Sequence, residues 1–190
     1  MKTIMTFVLG IAATAALMGQ STPEFTKDNQ LVQPANYREW VFLSSGLGMT
    51  YGAVADGNRG EPAFDNVFVN AAAYKSFLQT GKWPEHTMFV LEIRNSASKA
   101  SINKGGHFQA DVLGMSAEVK DTARFGGNGW AFFGFGKGAT GKQIPKTGAC
   151  YTCHSEKGAV DNTFVQFYPT LLPVAKDKGT LSPAYVAAGY

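Results

Sequence analysis

Apolar positions mark the clearest strand of the chain over Thr87–Arg94 (TMFVLEIR). Phe89, Leu91 and Ile93 fall on one side, and Met88, Val90 and Glu92 on the other. A period of two residues predicts a β-strand. Tyr37–Leu43 (YREWVFL), the short Asn66–Val69 (NVFV), His107–Met115 and Trp130–Phe135 (WAFFGF) carry the β-branched and aromatic residues of further strands. Helical spacing occurs over Asn70–Gly81, where Tyr74, Phe77 and Leu78 share a face, Asn70 can cap the start and Gly81 the end. Asp121–Phe125 reads as a short helical turn or loop, and Val160–Phe167 as a small helix ending before Pro169.

Between these elements lie punctuating stretches. Ser44–Gly60 is glycine-rich without a phosphate-binding spacing and reads as a loop. Pro84, the polar run Asn95–Gly106, Gly126–Gly129 and Gly136–Ala149 read as turns or loops, and the tail from Leu171 shows little pattern. No repeat or linker divides the chain. The expected fold is α+β, a single domain of mainly antiparallel strands with a few short helices.

The N-terminal end has a different character. Residues 1–20 hold one charge, Lys2, then an apolar run ending in small residues, which is the pattern of a secretory signal peptide. The run is short for a membrane span, and no later stretch is long and apolar enough. The expected organisation is therefore a signal peptide over 1–20, an irregular lead-in with Pro23 and Pro34 over 21–36, and one domain over 37–190. Export implies a periplasmic protein with no membrane attachment after cleavage. Loss of Lys2 lowers the formal charge from +3 to +2, and no dense basic run exists, which argues against nucleic-acid binding.

The two cysteines of the chain both lie in Cys150-Tyr151-Thr152-Cys153-His154. Two thiols three residues apart, followed at once by histidine, form the attachment signature of a c-type haem. Each thiol adds to one vinyl group, and the turn between them brings His154 beneath the ring as the proximal iron ligand. Other readings fit less well. A zinc site needs about four ligands, and the chain has three histidines, one of them adjacent to Cys153. A thioredoxin-like pair would want a βαβ setting. A structural disulfide would leave His154 unexplained. One covalently held haem per chain is the expectation.

The motif comes late, and residues 155–190 contain neither Met nor His. A sixth ligand would have to come from His86, His107, Met49, Met88 or Met115, and each of these reads more simply as a turn or packing residue. An iron with one protein ligand keeps an open face, suited to binding small molecules rather than only passing electrons.

The ordered blocks YREWVF, FDNVFVN, YKSFLQTG, TMFVLEIR, WAFFGFG, CYTCHSE and FVQFYP, from Tyr37 to about Val174, resemble the cytochrome P-460 family. The resemblance is nearest to the branch called cytochromes c′-β. It implies a mainly antiparallel sheet, a haem held by two thioethers with an axial histidine, and a homodimer. In the hydroxylamine-oxidising branch a lysine directly preceding a glutamate is joined to the porphyrin. Here Leu91 precedes Glu92, and leucine cannot make that bond. That branch is also expected to carry a carboxylate over the iron from the stretch before the haem motif, yet Gly126–Cys150 contains no Asp or Glu. The c′-β branch caps the iron with apolar side chains, and Phe64, Phe89 and Leu91 are the expected wall.

These features lead to an expected function. It is a periplasmic mono-haem cytochrome with a five-coordinate iron that binds small diatomic ligands such as nitric oxide, for sensing, storage or detoxification. Two alternatives stand beside it: an oxidoreductase acting on hydroxylamine or nitric oxide, or a peroxidase, of the P-460 type; and a simple electron-transfer cytochrome. The partners expected are a small gaseous or nitrogenous ligand and a redox protein. No catalytic residue is assigned by the sequence.

Overall fold

Seven strands pair side by side in the order β1-β7-β6-β5-β4-β3-β2, every pair antiparallel, in a computed structural model that describes residues 22–50, 61–136 and 138–189. The expected signal peptide and residues 51–60 of the expected glycine-rich loop lie outside the described residues. The strands are β1 (Leu31–Val32), β2 (Val41–Leu47), β3 (Ala63–Val69), β4 (Met88–Ala97), β5 (Phe108–Lys120), β6 (Trp130–Gly134) and β7 (Thr140–Gln143). Among the described residues five α-helices accompany them: α1 (Ala71–Thr80), α2 (Thr122–Phe125), α3 (Ala149–Lys157), α4 (Leu172–Lys178) and α5 (Pro183–Ala187). The chain is one domain, a mainly antiparallel sheet with a few short helices, as the alternation of apolar residues indicates.

The sheet has two covered faces. One carries Val69, Phe89 and Trp130 against Phe77 of α1 and the C-terminal residues Val160, Leu171, Ala175 and Tyr185. The other carries Phe68, Met88, Val90, Val119 and Phe133 against Leu31, Tyr37 and Trp40 of the N-terminal segment. Side chains on a strand alternate between faces, so β4 divides as its sequence pattern requires, with Phe89 in one cluster and Met88 and Val90 in the other. Two apolar faces need two covers. The helices supply one and the N-terminal segment the other.

Several local expectations need correction. Tyr37–Glu39 is a 3-10 turn rather than strand, and the strand runs through Ser44–Leu47, part of the stretch expected to be a loop. The lead-in contains β1, and the loop before the haem motif contains β7. Strand β5 continues five residues beyond Met115 to Lys120. Val160–Thr163 is a tight turn, with helical structure only over Val165–Phe167. The patternless tail forms α4 and α5, each with a proline in its first turn. Helix α1 matches its sequence reading, ending at Gly81 in the left-handed conformation at φ 68°.

Candidate haem site

Helix α3 begins after Gly148 and carries Cys150, Cys153 and His154 at relative positions i, i+3 and i+4. Residues at that spacing share one helical face. All three line a single cavity of about 390 Å³, inside the ~300–1,000 Å³ range of cofactor sites. Tyr151 docks the helix on β6. Its hydroxyl accepts from the Phe132 amide at 3.4 Å and donates to the Ile144 carbonyl at 3.3 Å, while its ring meets Phe132 edge-on at 4.7 Å. The two sulfurs are not joined in a disulfide.

The imidazole of His154 is held by two aromatic rings and a backbone carbonyl. Phe132 packs against it at 4.6 Å between ring centres and Phe164 at 4.2 Å. Its Nδ1 lies 2.8 Å from the Asn162 carbonyl oxygen. A carbonyl only accepts, so Nδ1 carries the proton and Nε2 keeps its lone pair. Burial lowers the histidine pKa, although the bond to Asn162 opposes this, and the neutral ring is favoured. A neutral ring with Nδ1 engaged and Nε2 available is the form that ligates a metal.

A carboxyl group stands beside this histidine. Glu118 Oε2 lies 3.3 Å from Nδ1, buried and without a hydrogen-bond partner. Burial, reinforced by the nearby Asp161 charge, pushes its carboxyl up to about 8. Both groups are therefore uncharged near neutral pH, and the contact is not an ion pair.

The wall facing the cavity is largely apolar and comes from the sheet. Phe89 and Leu91 line it, as do Val67 and Asp65 of β3, Ser44 of β2 and Met49 just beyond that strand. Phe64 does not. Asp65 and Val67 face the cavity, and the strand's alternation turns Phe64 to the opposite face. Of the five side chains weighed as sixth ligands, Met49 alone lines the cavity. Met88 packs on the far face with Met115 beside that cluster, Met115 Sδ accepts from Gln33 Nε2, and His107 contacts Glu61.

A family model for cytochrome P460 matches residues 34–165. The chain belongs to the cytochrome P460 family. Membership makes it a haem-binding cytochrome, and the residues present suit the cofactor: two thiols and an imidazole on one helical face, opening into an apolar cavity. The P460 match contains the haem motif, Phe164 and all the cavity-lining strands, and stops before α4 and α5. No curated protein sequence matches the chain.

Sequence reasoning missed Glu118, Asn162, Phe164 and Asp65 as parts of this site. The Val-Asp-Asn-Thr stretch was a visible signal for the turn that presents Asn162, because Asp and Asn tolerate the positive φ such turns require. Nothing in the local pattern marks Glu118 as buried.

Proposed function

We propose that this P460-family protein is an exported mono-haem c-type cytochrome that keeps one axial position open for small uncharged diatomic ligands such as nitric oxide. The observation that carries the reading is the shared cavity: His154 enters from one side, and the sheet opposes it with Phe89, Leu91 and Val67. Cys150 and Cys153 would hold the haem by thioether bonds and His154 Nε2 would be its protein ligand, and the haem would supply an iron able to take up a small ligand. The lining is mainly hydrocarbon, with the hydroxyls of Ser44 and Ser116 and the carboxylate of Asp65 as isolated polar points. Such a wall offers little hydrogen bonding to bound dioxygen or peroxide, whereas nitric oxide and carbon monoxide need none.

Absorption and resonance Raman spectra of the holoprotein in both oxidation states test this reading. A five-coordinate iron that takes up nitric oxide when reduced is expected. A six-coordinate low-spin iron in both states, as ligation by Met49 would give, overturns it.

One observation favours a second reading. Asp65 places a carboxylate in the cavity wall, although the segment before the haem motif has none. A carboxylate there could accept protons from hydroxylamine during its oxidation. Steady turnover of hydroxylamine, abolished in Asp65→Asn, would move the protein to the enzymatic reading.

A further inference from the structure

The ammonium of Lys120, the last residue of β5, reaches away from the sheet to a turn on the histidine side of the cavity. Its Nζ lies 2.5 Å from Asp161 Oδ2 and 2.9 Å from the Trp83 carbonyl oxygen. The ion pair is mostly shielded, with Lys120 16% and Asp161 30% exposed.

Asp161 is one of two central residues in the turn Val160–Thr163. Val160 and Thr163 bridge across it, and both Asp161 (φ 46°) and Asn162 (φ 60°) are left-handed. Positive φ at both central positions is the signature of a type I′ turn. In non-glycine residues that conformation costs energy and persists where surrounding contacts fix it. Here the contacts are specific. Trp83 Nε1 donates to Thr163 Oγ1 at 2.8 Å, Thr163 Oγ1 donates to the Val160 carbonyl at 2.7 Å, and Lys120 holds Asp161. The turn exposes one backbone group to the site, the Asn162 carbonyl on His154 Nδ1.

We propose that Lys120 and Asp161 are positioning residues for the axial histidine: their ion pair fixes the turn that keeps the Asn162 carbonyl on Nδ1. The inference rests on the reading of His154 as the iron ligand. An acceptor on Nδ1 orients the ring and raises the basicity of Nε2. Released, the turn would withdraw its carbonyl at 2.8 Å and leave only the Glu118 carboxyl, which lies farther off at 3.3 Å. The clamp thus sets how strongly the histidine donates to the metal. It does so from a residue that does not line the cavity.

The test uses the holoprotein, matured in a host that attaches c-type haem, and compares wild type with Lys120→Met and Asp161→Asn. The readouts are the iron–histidine stretching band of the ferrous protein and the reduction potential. Both variants are expected to lower the band frequency and raise the potential, because each weakens the acceptor on Nδ1. The two substitutions change local charge in opposite directions, so a shift of the same sign cannot come from charge alone. Lys120→Arg should restore the wild-type values. Asp161→Asn keeps a residue suited to positive φ and provides a folded sample if Lys120→Met does not. Tyr37→Phe, which weakens the opposite face of the sheet, should leave the band in place. Wild-type values in Asp161→Asn, shifts of opposite sign in the two variants, or an equal shift in Tyr37→Phe would each overturn the clamp. A wild-type ferrous protein with no iron–histidine band would instead sink the assignment of His154.

Discussion

Leu91 of β4 stands directly opposite Val67 of β3 in the antiparallel ladder, and both side chains line the cavity. Direct cross-strand neighbours lie about 4.5–5.5 Å apart at Cβ, so the pair closes that part of the wall with hydrocarbon. Leu91→Ala opens it. The apoprotein should lose about 1–2 kcal/mol in urea unfolding, below the ~2–5 kcal/mol of a fully buried leucine because this one is only half-buried. In the holoprotein, a guest wider than a diatomic should gain access. Imidazole titrated into the ferric protein should bind roughly tenfold more tightly, a gain of about 1.4 kcal/mol. An unchanged affinity would mean that Leu91 does not cap the open position.

The helical face shared by Cys150 and Cys153 gives the second prediction. Cys150→Ala and Cys153→Ala should each retain haem through one remaining thioether, read as a red-shifted pyridine haemochrome band and an intact haem mass on the denatured chain. The double variant should lose its haem to acid–acetone extraction. His154→Ala should keep both thioethers while its Soret band departs from wild type. A wild-type band there would point to another ligand.

Part of this geometry is legible because Phe89 and Leu91 lie on β4, where every second residue from Phe89 to Ile93 is apolar. Strand β3 was harder. Asp65 lies on the cavity side and Asn66 on the other, so polarity does not distinguish the two faces, and Phe64 was placed on the wrong one. Glu118 escaped because Ser116 and Glu118 are polar residues on a covered face. Hydropathy ends the strand at Met115, whereas the hydrogen-bond ladder carries it to Lys120. Helices α4 and α5 are seven and five residues long, too short to show a period. Pro173 and Pro183 lie in the first turns of these helices, where the missing N–H costs nothing.

Gly158 marks how closely the chain approaches itself behind the histidine. A Cβ there would lie 2.6 Å from the His154 carbonyl oxygen, 2.8 Å from the Asn162 carbonyl carbon and 2.9 Å from the Thr163 nitrogen. All three are backbone atoms and cannot step aside singly. Gly158→Ala should therefore destabilise by about 1–3 kcal/mol, as overpacking does. It should also push the turn off His154, lowering the iron–histidine frequency in the holoprotein. A stable variant with the wild-type band would show that the turn yields without disturbing the ring.

On the sheet face away from the cavity, Glu92 is fully buried and accepts four bonds. Tyr37 Oη and Arg38 Nη2 donate to Oε2 at 2.5 Å each, Arg94 Nε to Oε1 at 2.8 Å, and Asn66 Nδ2 to Oε1 at 3.2 Å. Burial alone would raise its pKa, but the bonds from Tyr37, Arg94 and Asn66, with the Arg38 charge, outweigh it and hold the carboxyl below its usual value. A carboxylate depressed in the folded state contributes stability above its unfolded pKa, and that contribution disappears as pH falls through the folded value. Glu92→Ala should cost about 3–5 kcal/mol at neutral pH, because it leaves the shielded Arg94 guanidinium and the buried Tyr37 hydroxyl without their acceptor. Glu92→Gln keeps the shape and removes the charge. Its deficit relative to wild type should be largest at neutral pH and shrink as acid protonates Glu92. Urea unfolding of both proteins from pH 7 into the acid range checks this, and a deficit independent of pH would show that packing rather than charge holds the residue in place.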